Sequence, residues 1–352
     1  MNDDFYARFF GENRGGDDGN YGFSFDEVVV KEAKRTFSRL FLALFSYLLI
    51  SVVLINATAV ALLLVNEKAY DAVFGTELGQ SILNAVVQYL IALPVFWLIV
   101  RKMDKETPFV YNSITPREFI SFFLIAQILM TIGNYVGLVF NSTVGSYFGT
   151  EVINHTAESI ERSPIWVSII FAVILAPIAE ELLMRKLFID RLAKYGTGFA
   201  VIVSALAFGI FHGNFYQFFY ATLSGLVLGA VYVRGGLKYS IGLHMIINLW
   251  GSVVAMLYSN SLDVLMENDM TSWLFWLSLA FVIIYSIISI TMLVLGIKLL
   301  IRCIRVLRSG FDPFAGRSIT LPRGSLPEII FGNVGVILFL ALSAITLVLS
   351  FF

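Results

Sequence analysis

Residues 173–188 read VILAPIAEELLMRKLF, an apolar run broken by Glu180, Glu181 and Arg185. The run is apolar enough to lie in a bilayer, where an ionisable group is costly and is a functional suspect by default. On a helix Glu181 and Arg185 are four residues apart, so they share a face and can pair. Glu180 lies about 100° further round the same helix. It cannot share that partner as easily and is the freer carboxylate.

The rest of the chain supports a membrane setting. Of 352 residues, 58% are apolar and 14% are charged, where a soluble protein needs about 25% charged residues. The net charge of −1 gives no basic excess to hold nucleic acid. One cysteine, Cys303, excludes a disulfide framework and reads as inert.

A membrane helix needs about 20 predominantly apolar residues. Runs of this kind cover 37–65, 82–100, 119–140, 239–258, 273–300 and 329–352, and three further helices are expected near 164–195, 198–212 and 216–234. The expected fold is therefore an all-α polytopic transmembrane bundle of about nine spans. Backbone groups in lipid must be satisfied within each segment, which makes every span a helix. The first span starts late, is long and lacks a small-residue cleavage site, so it does not read as a cleavable signal peptide.

Charge asymmetry gives the orientation. With the N-terminus cytoplasmic, 22 of the 24 Lys and Arg residues fall on the cytoplasmic side, leaving only Lys68 and Arg162 outside. The expectation is a multi-pass cell-membrane protein with its N-terminus inside and its C-terminus outside. Residues 1–36, with GGDDG at 15–19, read as a mobile cytoplasmic arm. Residues 37–302 form an eight-helix membrane core. Residues 303–328 form a basic cytoplasmic loop lying along the anionic inner leaflet, and 329–352 form a ninth helix. No internal repeat suggests a transporter of two similar halves.

Two other spans carry ionisable groups. SALAFGIFHGN at 204–214 places His212 one turn after Phe208, and YSIGLHMIINLW at 239–250 places His244 one turn before Asn248. Counting from the turn at Gly196–Gly198, Glu181 and His212 each lie about 22 Å away along their helices. His244 lies only about 12 Å from its own turn at Gly236. The depths agree if the hairpin between the fourth and fifth helices protrudes into the cytoplasm. Ala205, Gly209 and Gly213, and Gly225 and Gly229, form small-residue stripes of the kind that let membrane helices approach closely.

Glu180-Glu181-x-x-x-Arg185, Phe208-x-x-x-His212 and His244-x-x-x-Asn248 together resemble the signature of the CAAX protease and bacteriocin-processing family, the Rce1-like or Abi membrane proteins. Three motifs on three membrane helices, in order and with every position filled, are far more specific than EExxxR alone. The similar core covers about 164–258, and the first three helices and the eighth also fit the family's eight-span plan. The acidic arm, the 303–328 loop and the ninth span look like additions.

The resemblance implies an intramembrane endopeptidase acting on a membrane-associated peptide or protein. Glu180 and His212 would polarise a water, and His244 and Asn248 would donate hydrogen bonds to the oxyanion. Arg185 would hold Glu181 and stiffen the fourth helix, and Phe208 reads as a packing residue. A zinc ion held by Glu180, His212 and His244 is the competing mechanism, since these are the ligand types of a catalytic zinc site. No H-E-x-x-H is present; the reading leans to metal-free glutamate chemistry and leaves the metal open. A non-catalytic membrane binding or bacteriocin-immunity protein of the same fold is the alternative from another class. The partners expected are the lipid bilayer and a peptide or membrane-protein substrate, with access favoured from the cytoplasmic side. His155 reads as a solvated residue of the outer 141–163 loop. Asn84, Gln88, Gln127 and Asn134 read as helix-to-helix hydrogen bonders that could also line a cavity.

Overall fold

A computed structural model describes residues 25–105, 110–149, 154–310, 314, 319 and 321–350. Among these the chain is helical, with no strand. Seven helices are long and apolar enough to cross a membrane. We label them α1 (Phe25–Val65), α2 (Glu77–Val100), α3 (Pro116–Phe148), α4 (Ile165–Tyr195), α6 (Phe215–Gly235), α7 (Leu237–Met266) and α8 (Trp273–Arg308). Two shorter apolar helices, α5 (Thr197–Phe211) and α9 (Val334–Leu349), complete the nine expected from sequence. Large apolar side chains such as Leu64, Leu90 and Ile290 point outward, as lipid-facing positions should.

Boundaries differ from the sequence reading where local chemistry intervenes. α1 begins at Phe25, so the last third of the expected arm is helical; residues 1–24 lie outside the described set. α8 runs on to Arg308, past the expected start of the basic loop. The ninth span is interrupted: Leu326–Phe331 is a separate short helix, and Asn333 then caps α9 by accepting from the Val336 amide. α9 runs parallel to α1, with the Gly335 amide on Ser38 Oγ at 3.3 Å and Phe339 against Phe41. Parallel packing of the first and ninth helices is what an odd number of crossings requires.

One end of the bundle is tied together by polar contacts. Lys194 pairs with Glu32 at 2.5 Å, Lys34 with Glu328 at 3.0 Å and Arg234 with Glu118 at 2.8 Å. Arg191 donates to the Val100 carbonyl at 3.0 Å, and the Ile319 amide donates to the Lys194 carbonyl at 2.7 Å. Phe314 packs against Gly198. At these two described positions, the 303–328 segment therefore packs on the α4–α5 turn. This is the basic end of the molecule. At the opposite end a short helix, His155–Arg162, replaces much of the expected outer loop, and α3 extends to Phe148. Residues 150–153 and the His155 side chain lie outside the described set, and with them the expectation for His155.

The small-residue stripes do what membrane packing asks of them. A methyl group on Gly225 would meet Ala205 Cα at 3.1 Å, and one on Gly229 would meet Val201 at 2.8 Å. Gly213 departs from its expected place in this stripe: α5 ends at Phe211, and Gly213 adopts φ +68° beside Thr346 of α9. The α5–α6 register brings Thr197 level with the last turn of α6. The α4–α5 turn therefore does not protrude as expected. Within α4 itself, Leu182–Ile189 is π-helical and Ala193–Tyr195 is a 3₁₀ turn, so its rise is not that of a regular α-helix. A π-helix spends more residues per turn and so rises less per residue.

Candidate active site

Glu180 and Glu181 sit at the end of a short α-helical piece of α4, Ala176–Glu181, bounded by π-helical Ser168–Leu175 and Leu182–Ile189. Pro177 has no N–H and its ring crowds the carbonyl four residues earlier, which disfavours regular α-helix just before it. A further π-helical piece, Leu249–Val254, follows Asn248 in α7. Such π segments frequently occur at functional sites because they re-aim side chains.

The expected pairing of Glu181 with Arg185 is present at 3.2 Å, and both side chains are 0% exposed. Arg185 also donates to Ser204 Oγ at 3.1 Å, and that hydroxyl donates to the Met184 carbonyl at 2.7 Å. The guanidinium carbon lies 5.0 Å from the centre of the Phe208 ring, whose π face can favour a cation where water is absent. Phe208 also meets His212 and His244 edge-on, with ring centres at 4.7 and 5.8 Å. One aromatic ring thus spaces the cation from both histidines.

His244 lies between the two glutamates. Its Nδ1 is 3.0 Å from Glu181 Oε1, and its Nε2 is 3.6 Å from Glu180 Oε2. Glu180 retains 25% exposure while Glu181 has none, in line with its expected freedom. His212 follows the last residue of α5 and places Nδ1 2.7 Å from the Phe208 carbonyl. Asn248 donates to the Ala172 carbonyl at 2.9 Å, which leaves its second amide hydrogen. Ser252 in turn donates to the Asn248 carbonyl.

These groups line a cavity of about 440 Å³, within the range of small-molecule sites. Glu180, Phe208, His212, His244 and Asn248 all contribute to its wall, whereas Glu181 and Arg185 lie behind it. From its depth the cavity runs away from the basic end. Asn154, Thr156, Ala157, Ile160 and Glu161 line it from the short helix at the far end, joined by Ser259 of α7. Toward the basic end Met184, Arg185, Phe188 and Ser204 are fully buried and close it. The cavity thus extends toward the end opposite the basic one.

Sequence reasoning missed some neighbours. Tyr47, Tyr89 and Tyr220, from α1, α2 and α6, lie within electrostatic reach of Glu180. Gln217 lines the cavity and accepts from Thr156 at 3.0 Å. Asn134 also lines it, while Gln88 instead accepts from Tyr47 at 3.4 Å and donates to Asn84. Tyrosines in apolar helices carry no spacing signal, so only the packing reveals them.

The residues present do not form a metal centre as arranged. Among the described residues no three His, Cys, Asp or Glu side chains converge as a ligand set, so Glu180, His212 and His244 do not share a point in this geometry.

Residues 162–250 match the family described as type II CAAX prenyl endopeptidase Rce1-like. Over these residues the chain is similar to the Rce1-like family. The match holds every motif residue from Glu180 to Asn248 and about a quarter of the chain. Comparison with curated proteins gives no match, and neither does comparison with solved structures. This is accordingly a multi-pass helical membrane protein with a region similar to a CAAX protease family.

Proposed function

We propose that the chain is an intramembrane endopeptidase that hydrolyses a peptide bond of a membrane-associated peptide or protein with a water activated by Glu180 and His212. The observation that carries this is the position of His244. It is anchored to buried Glu181 on one side and faces the freer Glu180 on the other, in the wall of a cavity of about 440 Å³.

The two histidines have different supports. Nδ1–H of His212 donates to a backbone carbonyl, which fixes the tautomer that leaves Nε2 as a proton acceptor. That suits water activation beside Glu180. Nδ1–H of His244 donates to a carboxylate, a partner that also balances an imidazolium. With both nitrogens protonated, Nε2 of His244 donates to an oxyanion, and the free amide hydrogen of Asn248 donates beside it.

Water attacks the carbonyl carbon while Glu180 takes its proton. The tetrahedral oxyanion accepts from His244 and Asn248. Collapse breaks the C–N bond, and the departing amine takes the proton back from Glu180.

The test is cleavage of a quenched peptide library by the detergent-purified protein beside Glu180→Gln and His244→Ala. Wild-type cleavage lost in both variants, with all three proteins equally folded, supports the proposal. Absence of wild-type cleavage from a folded protein overturns it and favours a binding or immunity role.

A further inference from the structure

The direction of the cavity bears on what it takes. Its wall holds two carboxylates, Glu161 at the mouth and Glu180 at the depth, and no Lys or Arg. The end of the molecule onto which it runs is acidic as a whole. Segments 66–81, 154–163 and 263–272 carry eight acidic residues and two basic ones, Lys68 and Arg162. At the mouth Ser159 donates to Glu77 at 2.7 Å, and Thr156 donates to Gln217 at 3.0 Å. These contacts hold the short helix over the beginnings of α2 and α6.

Toward the other end, packed side chains among the described residues close the cavity. The Glu181–Arg185 pair, Met184 and Phe188 fill the space behind His244. Beyond them Asp190 is closed in by Lys186 at 2.8 Å and by the Tyr232 hydroxyl at 2.5 Å. A peptide chain approaching from the basic end would have to displace a packed layer that contains buried charges.

Resting on the peptidase reading, we propose that the site takes its substrate from the acidic end, as a peptide segment bearing basic residues beside the scissile bond. Lys and Arg concentrate on the cytoplasmic side of membrane proteins, so the acidic end is the non-cytoplasmic face. The substrate is then a cationic peptide, or a cationic flank of a membrane protein, presented on that face. A carboxylate-lined cleft with low-dielectric walls focuses its field on an approaching cation. Glu161 meets the basic flank at the mouth, and Glu180 remains free for water at the depth.

Two measurements test this without relying on turnover. In a Cys303→Ser background, Ser259→Cys marks the cavity mouth and Ser113→Cys marks the basic end. A membrane-impermeant maleimide added to intact cells should label the first, and should label the second only after lysis. The reverse pattern overturns the proposal. Binding of fluorescent peptides to purified Glu180→Gln protein then reads charge preference. A lysine-flanked peptide should bind about tenfold more tightly than its glutamate-flanked counterpart at low salt, with the gap closing as salt rises. Glu161→Gln should narrow the same gap. Equal binding of the two peptides, or tighter binding of the acidic one, overturns the proposal. Cleavage by wild type is read separately. Its absence while the lysine-flanked peptide still binds would sink the peptidase reading and leave the docking preference standing.

Discussion

His244 Nδ1 lies 3.0 Å from Glu181 Oε1, while Arg185 Nε lies 3.2 Å from the other oxygen of the same carboxylate. Glu181 is therefore a bridge between a cation and a site histidine. The pairing of Glu181 with Arg185 follows from helix spacing. The contact with His244 does not, because it crosses 63 residues of chain.

Removing one partner of this bridge should be costly. Arg185→Met leaves the fully buried Glu181 charge unpaired, and breaking a buried pair in this way costs about 3–5 kcal/mol. The double variant Glu181→Leu/Arg185→Met removes both charges and should recover most of that loss. It should nevertheless remain without cleavage, because His244 has lost its anchor. Thermal unfolding in detergent, run beside the peptide assay, separates the two effects. Recovery of activity together with stability would show that Glu181 serves packing alone.

Glu180→Gln should behave in the opposite way. Its carboxylate reaches the cavity and belongs to no buried ion pair with Arg185, so its loss should barely move the melting temperature. Cleavage should fall by about 10²–10⁴, the usual worth of general-base help. A variant that melts well below wild type, with a proportionate loss of activity, would mark Glu180 as structural.

Much of this arrangement was legible in the sequence, and the reasons are physical. A bilayer permits only helices here, so long apolar runs give the spans directly, and polar residues within them stand out against lipid. Glu180, Glu181, Arg185, His212, His244 and Asn248 were visible for that reason. What the sequence hid depends on departures from ideal helix rise. Leu182–Ile189 is π-helical and Ala193–Tyr195 a 3₁₀ turn, so counting residues at ideal rise does not give depths along α4. The break at Gly332–Asn333 is carried by a Gly-Asn step that the apolar residues immediately before it, Ile329–Phe331, masked in a hydropathy reading. The direction of the cavity was hidden as well. It is set by which side of the Glu181–Arg185 pair is packed, and hydropathy does not report packing.

Chelation should spare activity. Glu180, His212 and His244 do not converge on a common ligand point among the described residues, and His212 commits Nδ1 to the Phe208 carbonyl. Peptide cleavage after dialysis against a strong zinc chelator should match the untreated protein. Loss on chelation with recovery on added zinc would require these three side chains to close around a metal in the working enzyme.

The last prediction concerns how the site is held together rather than its chemistry. Gly133 of α3 faces the α6 backbone: a methyl group there would meet Tyr220 Cα at 2.5 Å and Tyr220 N at 2.6 Å. Backbone atoms cannot rotate away, so Gly133→Ala must push α3 from α6. Overpacking of this kind costs about 1–3 kcal/mol. Tyr220 and Ala221 of α6 and Met130 and Asn134 of α3 share the cavity wall, so the displacement should also raise KM more than it lowers kcat. Gly251→Ala supplies the comparison for stability, because nothing lies within 4 Å of its added methyl group. Melting temperatures of the two variants should differ by several degrees, with Gly133→Ala the lower. Equal melting temperatures would mean that α3 and α6 are not in the close contact that shapes the cavity.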